Sequence, residues 1–82
     1  MKDDLPQVSG LTGADLADYW FSQIDENEAA RFGGYSTRTL QKWRSEGGGP
    51  EYISVSSRCV RYRRADLYRY GEARKHSSTV TY

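Results

Sequence analysis

One stretch constrains the fold of this chain more than any other: residues 36–50, reading STRTLQKWRSEGGGP. Ser36 has a side chain that can accept a bond from the free amides of a first helical turn. Tyr35 before it and Leu40 after it have the spacing of a hydrophobic staple. Leu40 and Trp43 then share one helical face, while Arg38, Gln41, Lys42 and Ser45 share the other. Gly47-Gly48-Gly49-Pro50 ends the helix, because glycine accepts the left-handed turn and proline cannot continue the hydrogen-bond ladder. The spacing predicts a short amphipathic helix with guanidinium, amide, ammonium and hydroxyl groups in front.

The flanking sequence supplies what such a helix needs behind it. Residues 1–10 are polar and carry Pro6 and Gly10, as frayed termini do. Thr12 can cap a helix over Gly13 to Gln23, with Leu16, Tyr19 and Trp20 on one face. Asp25 and Glu28 have the spacing of a capping box for a second helix, with Ile24 and Ala29 as its staple. Ala29, Ala30 and Phe32 give that helix a small inner face, and Gly33-Gly34 closes it. A three-residue, glycine-containing turn then leads to Ser36, the signature of a helix-turn-helix.

After Pro50 the period becomes two. EYISV and RCVRY read as a β-hairpin around Ser56-Ser57, with Ile53 facing Val60 and Glu51 facing Tyr62. Ile53, Val55, Val60 and Tyr62 are expected to face inward. Arg64 to about Lys75 reads as a last helix, with Leu67 and Tyr70 inward and Tyr68 and Arg69 outward. The predicted fold class is α+β, mainly helical: a small winged helix-turn-helix domain with a two-stranded wing. The expected division is an acidic extension over residues 1–23, the DNA-binding domain over residues 24–75 and a flexible tail over residues 76–82.

Composition narrows the function. With 82 residues, the chain is close to the size at which one core is only marginally stable. No apolar run approaches the roughly 20 residues of a membrane span, and residues 1–10 lack the pattern of a secretory signal. Cys59 is the only cysteine and His76 the only histidine, so no disulfide, metal site or cofactor is expected. No nucleophile motif or phosphate loop occurs, and we expect no enzyme. The net charge of +1 hides a division: residues 1–28 carry −6 and residues 29–82 carry +7. Such a basic body fits a polyanion; two solvated faces are the plainer alternative.

Each candidate DNA contact has its own chemistry. Arg38 can fork onto guanine, Gln41 suits adenine, and Lys42 suits phosphate or guanine. Thr37, Thr39 and Ser45 can touch phosphate, and a threonine also suits a thymine methyl. Arg58 at the hairpin tip and Arg61 on its outer face suit a narrow, A·T-rich minor groove. Arg63 and Arg64, where the chain turns into the last helix, suit phosphates. The other readings are a solvated helix face and charged protection of a hairpin edge. Arg44 lies beside Trp43 and has a second role open to it, bracing the fold.

The run from Glu28-Ala29-Ala30 through TRTLQKWRSEGGGPEYI to VRYRRADL resembles the excisionase-type branch of the MerR-like winged helix-turn-helix proteins. That branch holds phage and mobile-element excisionases, also called recombination directionality factors, and AlpA-type regulators. The resemblance covers roughly Ile24 to Arg74. It departs at Ser56-Ser57, where glycines are common, and at Tyr70-Gly71, where a tryptophan and an aliphatic residue are common. The resemblance implies a cytoplasmic, nucleoid-associated bacterial protein that binds and bends double-stranded DNA cooperatively and assists a tyrosine integrase in excision. An AlpA-type transcriptional regulator is the alternative within DNA binding, and a protein-interaction adaptor the alternative outside it. The tail Ser77, Ser78, Thr79, Val80, Thr81 and Tyr82 is β-prone, and is expected to join copies head to tail by adding a strand to a neighbour's wing.

Overall fold

The computed structural model describes residues 5–75. Seven elements follow in order among them: α1 (Gly13–Phe21), β1 (Gln23–Asp25), α2 (Glu26–Gly33), α3 (Thr37–Glu46), β2 (Ile53–Ser56), β3 (Cys59–Arg63) and α4 (Arg64–Ala73). The fold is α+β, with four helices and a three-stranded antiparallel sheet in the order β1-β3-β2.

Side-chain chemistry at the helix ends explains where they fall. Asp25 Oδ1 accepts the Glu28 amide at 2.8 Å, and Ser36 Oγ accepts the Thr39 amide at 3.0 Å. The expected capping box is only half formed. The Glu28 carboxylate turns instead to Arg64, 3.1 Å away. Thr12 holds the cap position of α1 without a side-chain bond. Both α2 and α3 stop on left-handed glycines, Gly34 (φ 79°) and Gly47 (φ 87°). The amides of Tyr35 and Gly48 then reach back to the carbonyls of Ala30 at 2.9 Å and Trp43 at 2.8 Å, satisfying acceptors the helices leave open.

The sheet corrects three expectations. First, α1 ends at Phe21, and Gln23, expected at its end, forms a strand with the staple and cap residues Ile24 and Asp25. It pairs with β3 in the register Ile24 to Tyr62, so the hairpin expected to stand alone is part of a three-stranded sheet with β3 at its centre. Second, the hairpin register is shifted: Ile53 faces Arg61 rather than Val60, and Ser54 faces Val60. Third, Val55 points outward and is 59% exposed. One cause links the last two. The closing pair is Ser56 with Cys59, and the register slips between Ser54 and Ser56. That slip leaves Val55 as the extra residue of a bulge. No non-glycine residue has a positive φ among those described, so the Ser57-Arg58 loop is not one of the primed turns that match strand twist.

The core gathers Ile24, Ala29, Ala30, Leu40, Tyr62 and Leu67, with Phe32, Tyr35, Trp43 and Val60 packed against it. Ala29 and Leu40 are fully buried. Trp20 ties α1 to this body. It is buried, its ring meets Phe32 at 6.3 Å and Tyr68 at 5.5 Å, and its Nε1 donates to the Pro6 carbonyl at 3.1 Å. The segment expected as an N-terminal extension thus packs on the rest of the described fold through Trp20, and Tyr68 faces Trp20 rather than outward.

Candidate nucleic-acid interface

The α3 helix is held from behind by aromatic packing. Leu40 is fully buried, and Trp43 lies between Tyr35 (centroids 5.0 Å apart) and Tyr70 (5.3 Å). The segment after α3 folds back onto the same indole. Gly49 has φ +84°, and a Cβ there would lie 2.6 Å from the Trp43 Cβ, so only glycine fits. Pro50 beside it is buried.

A second restraint acts from the side. Arg44 Nη1 donates to Glu26 Oε2 at 3.0 Å and to the Tyr62 hydroxyl at 2.8 Å. Glu26 begins α2 and Tyr62 lies in β3, so one guanidinium joins α2, α3 and the sheet. Burial alone would lower the Arg44 pKa; the bonds to Tyr62 and Glu26 outweigh it and hold the group above its ordinary value. Burial raises the Tyr62 hydroxyl, against the pull of Arg44, so it stays a neutral partner. Of the two roles open to Arg44, the fold uses the brace.

With its back fixed, α3 presents Arg38, Gln41, Lys42 and Ser45 in an exposed stripe. Arg38 and Lys42 make no ion pair with another described residue. Gln41 Nε2 lies 3.4 Å from Glu26 Oε1, which places a carboxylate at the edge of the stripe. Thr37 is half-buried at the helix start. Thr39 is drawn into the cap, its Oγ1 accepting from Ser36 Oγ at 3.0 Å, and belongs to the fold more than to the stripe.

The hairpin cations divide. Arg58 is exposed at the tip, its backbone amide 3.4 Å from Ser56 Oγ. Arg61 and Arg63 are half-buried on the central strand, opposite Asp25 and Gln23 of β1. Arg64, expected to meet phosphate, is committed inside the molecule. Its guanidinium pairs with Glu28 at 3.1 Å, donates to the Tyr19 carbonyl at 3.0 Å and lies 4.5 Å from the Tyr19 ring centre. β3 runs directly into α4, and at that junction Arg64 meets Tyr19 of α1 and Glu28 of α2, both remote in sequence. The self-association segment, Ser77 to Tyr82, lies outside the described residues.

Sequence reasoning missed Glu26. Its signal was an acid at the first helical position, which reads as a favourable dipole contact and hides a role as anchor for a distant arginine. Set against models of known protein families and against curated proteins, the chain matches none.

Proposed function

We propose that the protein is a sequence-specific double-stranded DNA-binding protein of the winged helix-turn-helix type, with α3 as its recognition helix. In this reading α2, the Gly34-Tyr35-Ser36 turn and α3 form the helix-turn-helix, and the β2–β3 hairpin is the wing. The α3 helix enters the major groove and Arg58 the adjacent minor groove. The observation that carries the reading is the exposed Arg38, Gln41, Lys42 and Ser45 stripe on a helix fixed from behind and from the side. Base readout needs such a helix, because a donor must arrive at a base edge already oriented.

The finer role follows from the resemblance to excisionases. Several copies bind side by side, bend the site and help a tyrosine integrase to assemble the excisive complex. Thr37 and Ser45 serve as flanking phosphate contacts, as do Arg61 and Arg63. Arg64 is left out of this interface, since its guanidinium is already occupied.

The test is selection of a binding site from a pool of random duplexes, followed by titration at several salt concentrations. Affinity should fall steeply with salt as phosphate-bound cations are released. Arg38→Ala should cost about 1–3 kcal/mol and relax preference at one base position, whereas Lys42→Ala should weaken all sequences evenly. Absence of binding at low salt would leave the adaptor reading in place of this one.

A further inference from the structure

Glu26 does more than hold Arg44. Its Oε2 accepts from the Arg44 guanidinium at 3.0 Å, and its Oε1 accepts from Gln41 Nε2 at 3.4 Å. Gln41 and Arg44 are three positions apart on α3, so they share one flank of that helix. A single carboxylate from the first turn of α2 thus touches both the brace and the exposed stripe. The brace fixes where this carboxylate sits, because Arg44 is also bonded to the hydroxyl of buried Tyr62 at 2.8 Å.

The chemistry of the contact decides which end of the Gln41 amide is held. A carboxylate paired with a guanidinium accepts hydrogen bonds and has none to give, so only the amide NH2 can face it. At 3.4 Å the bond is long, and it acts on the direction of the amide more than on stability. The exposed amide keeps one N–H and its oxygen for a ligand. A donor beside an acceptor matches adenine in the major groove, whose N7 accepts and whose N6 amino group donates. Guanine presents two acceptors there, N7 and O6. Meeting both requires both N–H groups of the amide, and Glu26 already takes one.

We infer that Glu26 is a positioning residue that commits Gln41 to adenine and turns it away from guanine. The inference rests on α3 as the recognition helix and adds that a residue of α2 selects the base which Gln41 reads. Glu26→Gln separates the two roles of this side chain. The substitution keeps the shape and leaves an acceptor for Arg44, so the brace survives. Arg44 can only donate, so the new side chain must give it the amide oxygen. Its NH2 then faces Gln41, which answers with its own oxygen and turns its NH2 outward. Two donors now point at the groove, the pattern that guanine accepts.

The test is binding-site selection with the full chain, read base by base, for the parent, Glu26→Gln, Gln41→Ala and the double variant. The parent should favour adenine over guanine about tenfold or more at one position, the scale of one bidentate pair. Gln41→Ala, a change at an exposed side chain, should erase that preference and leave the rest of the site. Glu26→Gln should bring adenine and guanine to parity, or favour guanine, at that position alone. It should change nothing there once Gln41 is alanine. In the free protein the same substitution should move the side-chain amide resonances of Gln41. An even loss of affinity across all sequences marks Glu26 as a structural tie only and overturns the inference. So does an adenine preference that Glu26→Gln leaves intact, one that Gln41→Ala does not touch, or a Gln41 amide that stays unmoved. These failures leave the DNA reading standing, because the parent still selects a site. A parent that binds no duplex at low salt removes that reading and this inference together.

Discussion

Two seams hold the helices of this protein together, and both are built on the first turn of α2. At one, Glu26 receives Arg44 of α3; at the other, Glu28 receives Arg64 of α4. Both carboxylates sit where the helix dipole favours negative charge, so α2 supplies two anchors at little cost. The seams differ in what lies behind the arginine. Arg44 continues to the hydroxyl of Tyr62, which is 1% exposed, whereas Arg64 stacks on Tyr19 at a more open site where the Glu28 side chain is 46% exposed. The difference teaches that the same ion pair can be a structural tie or a surface clasp, depending on whether its removal strands a buried polar group.

That contrast orders the expected effects. Arg44→Ala should be the most damaging change, because it leaves a buried hydroxyl and a partly buried carboxylate without their shared donor. A loss of about 2–3 kcal/mol in thermal or urea unfolding is expected. If α3 reads DNA as proposed, the same change should also lower DNA affinity at temperatures where the fold survives. Arg64→Ala should cost about 1 kcal/mol, from a screened ion pair, a bond to the Tyr19 carbonyl that water can replace and one cation–aromatic contact. Its distinctive mark should be faster amide exchange confined to α1. If the two variants lose equal stability, the distinction between tie and clasp is wrong.

A third acid at a helix start sharpens the same comparison with a smaller effect. Asp66 lies in the first turn of α4, where burial and then the nearby Glu51 raise its pKa, while Arg63 and Arg69 oppose them. A carboxyl whose folded pKa is raised contributes stability that is complete below its unfolded pKa and lost as pH rises through the folded one. At neutral pH its charge is thus a mild burden, unlike that of Glu26. Asp66→Asn should be at least as stable as the parent at neutral pH, with the difference vanishing below about pH 4, where both side chains are neutral. A clear loss at neutral pH would mean that the helix dipole and the two arginines outweigh burial.

How far the sequence disclosed this structure depended on whether the signal was local. The caps at Asp25 and Ser36, the glycine stops and the apolar faces of α2 and α3 all depend on residues within one or two turns, and they were legible. The candidate stripe on α3 was legible for the same reason. β1 was not, because an alternation of only three residues is too short to be told from a helix end, and Ile24 alone fits a helical staple as well as a strand. The hairpin register was off by one because the turn falls at Ser57-Arg58 rather than Ser56-Ser57 and the bulge at Val55 takes back only half of that shift, a balance no propensity records. Arg64 was misplaced for a third reason. Its neighbours Tyr19 and Glu28 are remote in sequence, and a lone arginine gives no sign of which it will meet.

The pairing of β1 with β3 has a consequence for the order in which the molecule can assemble. Ile24 leaves the ribosome well before its strand partner Tyr62, which comes much later in the chain. Until β3 exists the N-terminal third has no sheet to join, and Trp20 lacks the α4 ring of Tyr68 that helps to cover it. The hairpin, by contrast, closes over a two-residue loop and needs only its own neighbours. Closing the long segment between Ile24 and Tyr62 also costs more chain entropy than closing the hairpin. The first strand made is thus the last to be fastened, and a nascent chain stalled before β3 leaves an aromatic, acidic segment open to chaperones or to aggregation.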